Sequence, residues 1–255
     1  MTQTHSPIGA AQKQFLRENG FLHLRGAIPT PILERALGTI SHRLGEGIPA
    51  EELQTWRSQS FFPELKTHGA LLDLFNQTPA IELVRELLGQ TNVAPAKSCQ
   101  LALRFPAPPG TNARPPYPHI DGVHSPHNGV PQGELHSFSA LVGIFLTDVT
   151  RQNAGNFTVW PGSHRKMEAY FAQNGVDELL AEGKTPAIER GEPLQIEAKA
   201  GDCVIAHYQL LHGVAQNVAP FPRFATFFRI KHPEHETHKI QCLRNLWLEW
   251  PGLND

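Results

Sequence analysis

A chain of 255 residues with 40% hydrophobic and 18% charged residues is long enough to bury a large core and sits at the upper edge of one domain. A formal net charge of −2 excludes the concentrated positive field that nucleic acid or an anionic membrane surface requires, and the one basic cluster, His164-Arg165-Lys166, is too short to supply it. Three cysteines, Cys99, Cys203 and Cys242, are odd in number and widely spaced, which excludes a disulfide framework or a C-x-x-C site and predicts buried thiols.

No stretch approaches a membrane span, and "MTQTHSPIGAAQKQF" lacks the basic flank and apolar run of a signal peptide, so a cytoplasmic protein is expected. Ser6-Pro7 reads as an N-cap followed by a first-turn proline, and Gly20 as the left-handed terminator of a helix over "AAQKQFLREN". "FLHLRG" alternates like a short strand. Thr30-Pro31 repeats the cap-and-proline signal ahead of Leu33, Leu37, Ile40 and Leu44, which share a helical face, and two further helices are expected near 69 to 76 and 79 to 88. After residue 90 short apolar or alternating runs stand between proline and glycine: "CQLALRF", "FSALVGIFL", "FTVW", "DCVIAHY", "GVAQNV" and "FATFFRI". With no long helix alternating between them, these strands predict an antiparallel jelly-roll type of sandwich or barrel rather than a βαβ sheet. The segment 167 to 184 reads as an inserted helix or ordered loop. One domain over 1–255 is expected, with a mostly helical N-terminal support (1–90), a jelly-roll core (91–235) and a C-terminal tail (236–255).

The stretch "YPHIDGVHSPHNG" concentrates three histidines beside one aspartate. His119 and Asp121 alone decide nothing, but a jelly roll brings distant strands together, and His212 in "GDCVIAHYQLLHGVAQN" is the candidate third ligand. Two imidazoles and one carboxylate on one face of an octahedral Fe(II) leave three positions open for a cosubstrate and oxygen. Arg223 lies 11 residues beyond His212, where a turn and a return strand bring its guanidinium back as a carboxylate clamp.

In order along the chain, "FLRENGFLHLRGAI", "HID", "NAGNFTVWPGSHR" and "GDCVIAHYQLLHGVAQN" resemble segments of the phytanoyl-CoA dioxygenase family of Fe(II)- and 2-oxoglutarate-dependent oxygenases. The resemblance spans residues 11 to about 230. It implies a double-stranded β-helix, mainly β with flanking helices and a helical N-terminal third. His119, Asp121 and His212 would bind iron, and Arg223 the C5 carboxylate of 2-oxoglutarate. Gln100 and Arg104 fall near positions of cosubstrate or substrate contacts. Fe(II), 2-oxoglutarate and O2 are the implied cofactors and a small molecule the implied partner. Two departures are Val214, where some relatives carry a serine, and "NAGN", with one residue inserted in the usual Asn-Gly. Related halogenases lack the carboxylate present here as Asp121, so the resemblance implies hydroxylation or another oxidation of a metabolite, with succinate and CO2 released.

Blander roles fit other residues. His207 shares a strand face with Cys203 and Ile205 and reads as structural; His164 reads as a loop-fixing hydrogen-bonder. His124, His127 and His136 face either substrate or solvent. Trp160 and "FFRI" read as core, and 231 to 239, "KHPEHETHK", as solvated surface. A cupin-like metal-binding protein and a cupin dioxygenase independent of 2-oxoglutarate are the alternatives, and both leave Arg223 without a task.

Overall fold

The computed structural model describes residues 7–126 and 128–253, so Ser6 and His127 lie outside the described residues. Helix α1 (Ala10–Asn19) ends at Gly20, whose φ of 83° is the left-handed conformation expected of a terminator. Strand β1 (Phe21–Leu24) follows, then α2 (Thr30–Gly45), α3 (Leu53–Ser58), α4 (Gly69–Asn76) and α5 (Pro79–Leu87). Both caps differ from expectation: α1 is capped by Gly9, with Pro7 ahead of the helix rather than in its first turn, and Pro29 is the N-cap of α2 with Thr30 its first helical residue. The short helix α3 has no counterpart in the sequence reading, because six residues are too few to display a helical period.

Beyond residue 90 come β2 (Gln100–Arg104), β3 (Ala140–Phe145), β4 (Phe157–Val159), α6 (Ser163–Asn174), α7 (Asp177–Glu182), β5 (Leu194–Gln195), β6 (Cys203–His207), β7 (His212–Val214), β8 (Arg223–Ile230) and α8 (His235–His238). The insertion expected at 167 to 184 is two helices, and the first begins four residues early on the Gly162 turn. "GVAQNV" is not a strand throughout. Strand β7 stops at Val214, and Asn217 is held instead by an isolated bridge to Ala154.

The strands form an antiparallel five-stranded sheet, β1-β6-β3-β8-β2, facing a three-stranded one, β5-β4-β7, in a jelly-roll-like arrangement. Both faces of the large sheet are covered, and the period of two assigns its side chains cleanly. Leu101, Leu103, Val142, Ile144, Ile205, Phe224 and Phe228 pack outward against Leu33, Ile40, Leu74 and Val84 of the helices. Ala102, Leu141, Phe145, Val204, Ala206, Ala225 and Phe227 face inward, with Phe157 and Val159 of the small sheet, Trp160 just past β4, and Met167 and Phe171 of α6. The core between the two sheets is where alternate residues of β2 and β8 converge, and this positions the site.

Cys99, Cys203 and Cys242 are free and buried, as expected, and burial pushes the Cys99 thiol up to about 12. The run 231 to 239 is not uniformly solvated surface: His232 and His235 are buried, because the segment after it packs against α1, α5 and α6 and places Cys242, Leu246, Glu249 and Trp250 in the interior, Glu249 reaching Ser139 and His235. Among the described residues no helix is long and apolar enough to cross a membrane.

Candidate metal centre and anion site

Three backbone devices bring His119, Asp121 and His212 together. His119 and His212 exchange both main-chain hydrogen bonds, 2.9 and 3.0 Å, so the loop carrying His119 continues the small sheet past β7. The Tyr208 hydroxyl donates to the Asp121 carbonyl at 3.0 Å. Gly122 then turns the chain with φ 76°, and a Cβ there would collide with the His136 carbonyl.

The side chains converge on one oxygen. Asp121 Oδ1 lies 3.6 Å from His119 Nε2 and 3.7 Å from His212 Nε2, and the imidazole rings are 4.7 Å apart. These separations are too long for good hydrogen bonds. They exceed by about half an ångström the roughly 3 Å that separates neighbouring ligands on a six-coordinate metal with bonds near 2.1 Å, so a small inward adjustment would close the set on an ion. The outer nitrogens fix the tautomers. His212 Nδ1 faces the Leu210 carbonyl at 3.0 Å and His119 Nδ1 the Tyr117 carbonyl at 3.4 Å. A carbonyl only accepts, so the proton sits on Nδ1 and each Nε2 lone pair points inward.

Charge follows geometry. Burial acts against an ionised Asp121, but Arg229, followed by His119 and His212, holds the carboxyl well below its ordinary range. For His119 burial acts downward, and the nearby Asp121 carboxylate outweighs it to leave the imidazole raised. Among the described residues no fourth His, Cys, Asp or Glu joins this group, so a bound ion would keep open positions.

Arg223 opens β8 and is only 2% exposed. Its Nε donates to the Gly155 carbonyl at 2.6 Å and Nη1 to the Ala102 carbonyl at 3.0 Å. Arg104 is its cross-strand partner in register on β2, so two guanidinium-bearing residues sit side by side on the inward face. Among the described residues neither forms an ion pair. Burial, reinforced by Arg104, drives the Arg223 guanidinium well below its ordinary range, and burial with Arg57 pushes Arg104 down to about 10. A buried cation without an anion is costly, and a carboxylate that reached the pair would offset that cost. Gly155 makes it possible: a Cβ at that residue would lie 2.9 Å from Arg104 Cβ and 3.3 Å from Arg223 Cβ. The glycine of "NAGN" therefore lies against both arginine stems.

Phe157 links the two regions, its ring 5.6 Å from that of His212 and 5.3 Å from that of Phe227 on β8. Gln100 also faces inward, but its Oε1 accepts from Arg229 Nη2 at 2.9 Å. Arg229 is the residue the sequence reading missed, and period two along β8 from Arg223 through Ala225 and Phe227 would have found it. His207 points to the opposite face and bonds the Leu246 carbonyl, and His164 Nε2 bonds the Arg17 carbonyl. His124 bonds the Val130 carbonyl and His136 pairs with Glu134, so neither joins the metal group.

Similar folds occur in a non-heme α-ketoglutarate-dependent carbocyclase, SnoK, from nogalamycin biosynthesis (TM-score 0.57, 16% identity, 92% of this chain and 94% of that one). They occur also in HygX from Streptomyces hygroscopicus with nickel and 2-oxoglutarate bound (0.56, 16%, 89% and 88%) and in the apo non-heme monooxygenase ThoJ (0.58, 22%, 87% and 78%). An ectoine dioxygenase of Nocardia farcinica (strain IFM 10152) is 29% identical over 184 residues, which cover 67% of this chain and 58% of that relative. Residues 16–225 match the phytanoyl-CoA dioxygenase family, and the chain belongs to this family of Fe(II)- and 2-oxoglutarate-dependent, O2-using oxidoreductases.

Proposed function

We propose that the chain is a single-domain oxygenase, built on a double-stranded β-helix, that hydroxylates a C–H bond of a small or medium-sized metabolite and releases succinate and CO2 from 2-oxoglutarate. His119 Nε2, His212 Nε2 and Asp121 Oδ1 hold the iron. Arg223 receives the distal carboxylate of 2-oxoglutarate, with Arg104 beside it and Gln100 toward the metal end. The iron, with cosubstrate and O2 bound, supplies an oxidant strong enough for an unactivated C–H bond.

The protein's own groups supply position. The carbonyls of Tyr117 and Leu210 keep both imidazoles in the ligating tautomer. The Phe157 and Phe227 rings form an apolar wall that excludes water and strengthens the Arg223 interaction with an anion. Asp121 occupies the position that a halide takes in related halogenases, which favours oxygen insertion. Small metabolites agree with the names of the relatives.

One observation carries the reading: an open three-ligand group shares an interior with the buried, anion-less Arg223. A closed zinc site has no use for such an arginine. The test is anaerobic titration of metal-free protein with Fe(II) and 2-oxoglutarate, following the weak visible band of a chelated 2-oxo acid. The band should appear in the wild type and be lost or greatly weakened in Arg223→Ala. Stoichiometric iron binding without a band would overturn the reading in favour of a cupin independent of 2-oxoglutarate.

A further inference from the structure

We propose that Arg229 is a positioning residue of the metal centre, holding Asp121 by one carboxylate oxygen so that only the other meets the metal. The inference rests on the reading of His119, Asp121 and His212 as iron ligands.

The two oxygens of Asp121 have different surroundings. Oδ2 accepts from Arg229 Nε at 3.0 Å and from Nη2 at 2.6 Å, two charge-assisted bonds from one planar group. Oδ1 is the atom that both inward imidazole nitrogens face. A carboxylate left to itself turns broadly about its last torsion, and it can also grip a metal with both oxygens. Either freedom damages this centre. Rotation takes Oδ1 out of line with the histidines, and two-oxygen binding consumes one of the three open positions that a bidentate cosubstrate and O2 need. A guanidinium fork fixes the plane of the carboxylate and occupies its second oxygen, a task that one lysine nitrogen performs poorly.

Arg229 is itself held. Nη2 also donates to Gln100 Oε1, and the guanidinium carbon lies 5.8 Å from the centre of the Phe138 ring. Gln100 stands on β2 and Leu141, the register partner of Arg229, on β3, so both neighbours of β8 fix the approach. A cation so near the metal also repels it. The side chain of Arg229 is 37% exposed, so water screens that repulsion, whereas loss of the fork frees the ligand directly. Geometry should therefore win, and affinity should fall when the arginine is removed.

The experiment uses the metal-free full chain as wild type, Arg229→Met and Arg229→Lys. Each is titrated anaerobically with Fe(II), then with 2-oxoglutarate, and separately with Co(II), whose visible spectrum reports ligand geometry. Thermal melting of the metal-free proteins checks folding. The methionine variant should bind Fe(II) about 10–100-fold more weakly, as expected for loss of a group that orients a ligand, and its Co(II) spectrum should shift. The lysine variant, which keeps charge and bulk, should fall between and serves as the test if the methionine variant does not fold. A band-forming wild type with iron affinity and Co(II) spectrum unchanged in both variants, or with tighter binding in Arg229→Met, overturns the role of Arg229 and leaves the proposed function standing. A wild type that binds neither Fe(II) nor 2-oxoglutarate overturns the proposed function and the inference together.

Discussion

Imidazole meets carboxylate at several places among the described residues, and two of them, at His235 and at Asp121, differ in what is left unsatisfied. Around His235 every partner is met. Its Nδ1 lies 2.8 and 3.0 Å from the Glu249 oxygens, its Nε2 3.0 Å from Ser137 Oγ, and Ser139 Oγ donates to Glu249 at 2.5 Å. Both ends of the pair are 2% exposed. Burial works against the Glu249 charge, but His235 and Ser139 outweigh it and hold the carboxyl below its ordinary range. Around Asp121 the two imidazole nitrogens face an oxygen they do not bond, in a group open to solvent through His119. Proximity of histidine and acid is common to both. Directed lone pairs without hydrogen-bond partners make the Asp121 group a candidate site, while the His235 group ties Glu249 to Ser139, just ahead of β3.

The sharpest way to break this comparison is to delete one carboxylate from each cluster. Asp121→Ala should abolish stoichiometric Fe(II) binding and turnover while leaving the thermal midpoint within a few degrees of the wild type. Glu249→Ala should do the reverse. Leaving His235 buried without its partner costs about 3 kcal/mol, roughly 6–12 °C in midpoint for a chain of this size, with iron affinity retained in the folded protein. Calorimetry of metal-free and Fe(II)-loaded protein reads both effects. Equal losses of stability in the two variants would mean that the clusters are the same kind of structural network.

The next effect concerns the other end of the interior. Arg223→Lys keeps a charge but replaces a fork by a point, so the apparent Kd for 2-oxoglutarate in the iron-loaded protein should rise about 10–100-fold, with iron affinity unchanged. Band titration measures it. Unchanged affinity would move the cosubstrate carboxylate away from Arg223.

How much of this was legible in the sequence depended on how local each signal was. The C-terminal end of α1, the positions of α4 and α5, and the long strands were written in glycine, proline and hydrophobic period, whereas the start of α1 was not, since Gly9 rather than Ser6 caps it; the ordered motifs singled out His119, Asp121, His212 and Arg223 as candidates. The outward face of His207 followed from counting by two along β6. Arg229 is equally local to Arg223, six residues along one strand, but its meaning lies in Asp121, 108 residues away. The run 231 to 239 looked solvated because its cover comes from outside the run: Ser139 reaches Glu249 across 110 residues. Strand β5, two residues long with Leu194 exposed, exists only because β4 offers an edge.

A smaller effect concerns the two buried histidines outside the candidate site, His164 and His207. Burial pushes His164 down to about 4, and burial reinforced by His164 pushes His207 down to about 3. Above about pH 6.5 each is neutral whether folded or unfolded, so stability is fully present. Between about 6.5 and those folded values the unfolded chain takes up protons that the native chain refuses, and stability falls with falling pH, by about 2 kcal/mol for each histidine at pH 5. His164→Gln and His207→Gln should each flatten the loss between pH 7 and 5, measured by urea unfolding. A slope equal to that of the wild type would place the acid sensitivity elsewhere.

The smallest change probes the glycine of "NAGN". Gly155 has φ 77°, and its missing Cβ leaves room for the Cβ atoms of Arg104 and Arg223. Gly155→Ala places an L side chain in the left-handed region, at about 1 kcal/mol, and presses it against both arginine stems. The stems sit on β2 and β8, which are fixed by pairing along their length, so the relief must come from the Gly155 loop. That loop carries the carbonyl that accepts from Arg223 Nε. The variant should therefore lose about 1–2 kcal/mol of stability and several-fold in 2-oxoglutarate affinity, while its Fe(II) affinity, set at the far end of the interior, stays unchanged. A parallel loss of iron affinity would show that the two ends are not independent, and that the loop positions the metal ligands as well as the arginines.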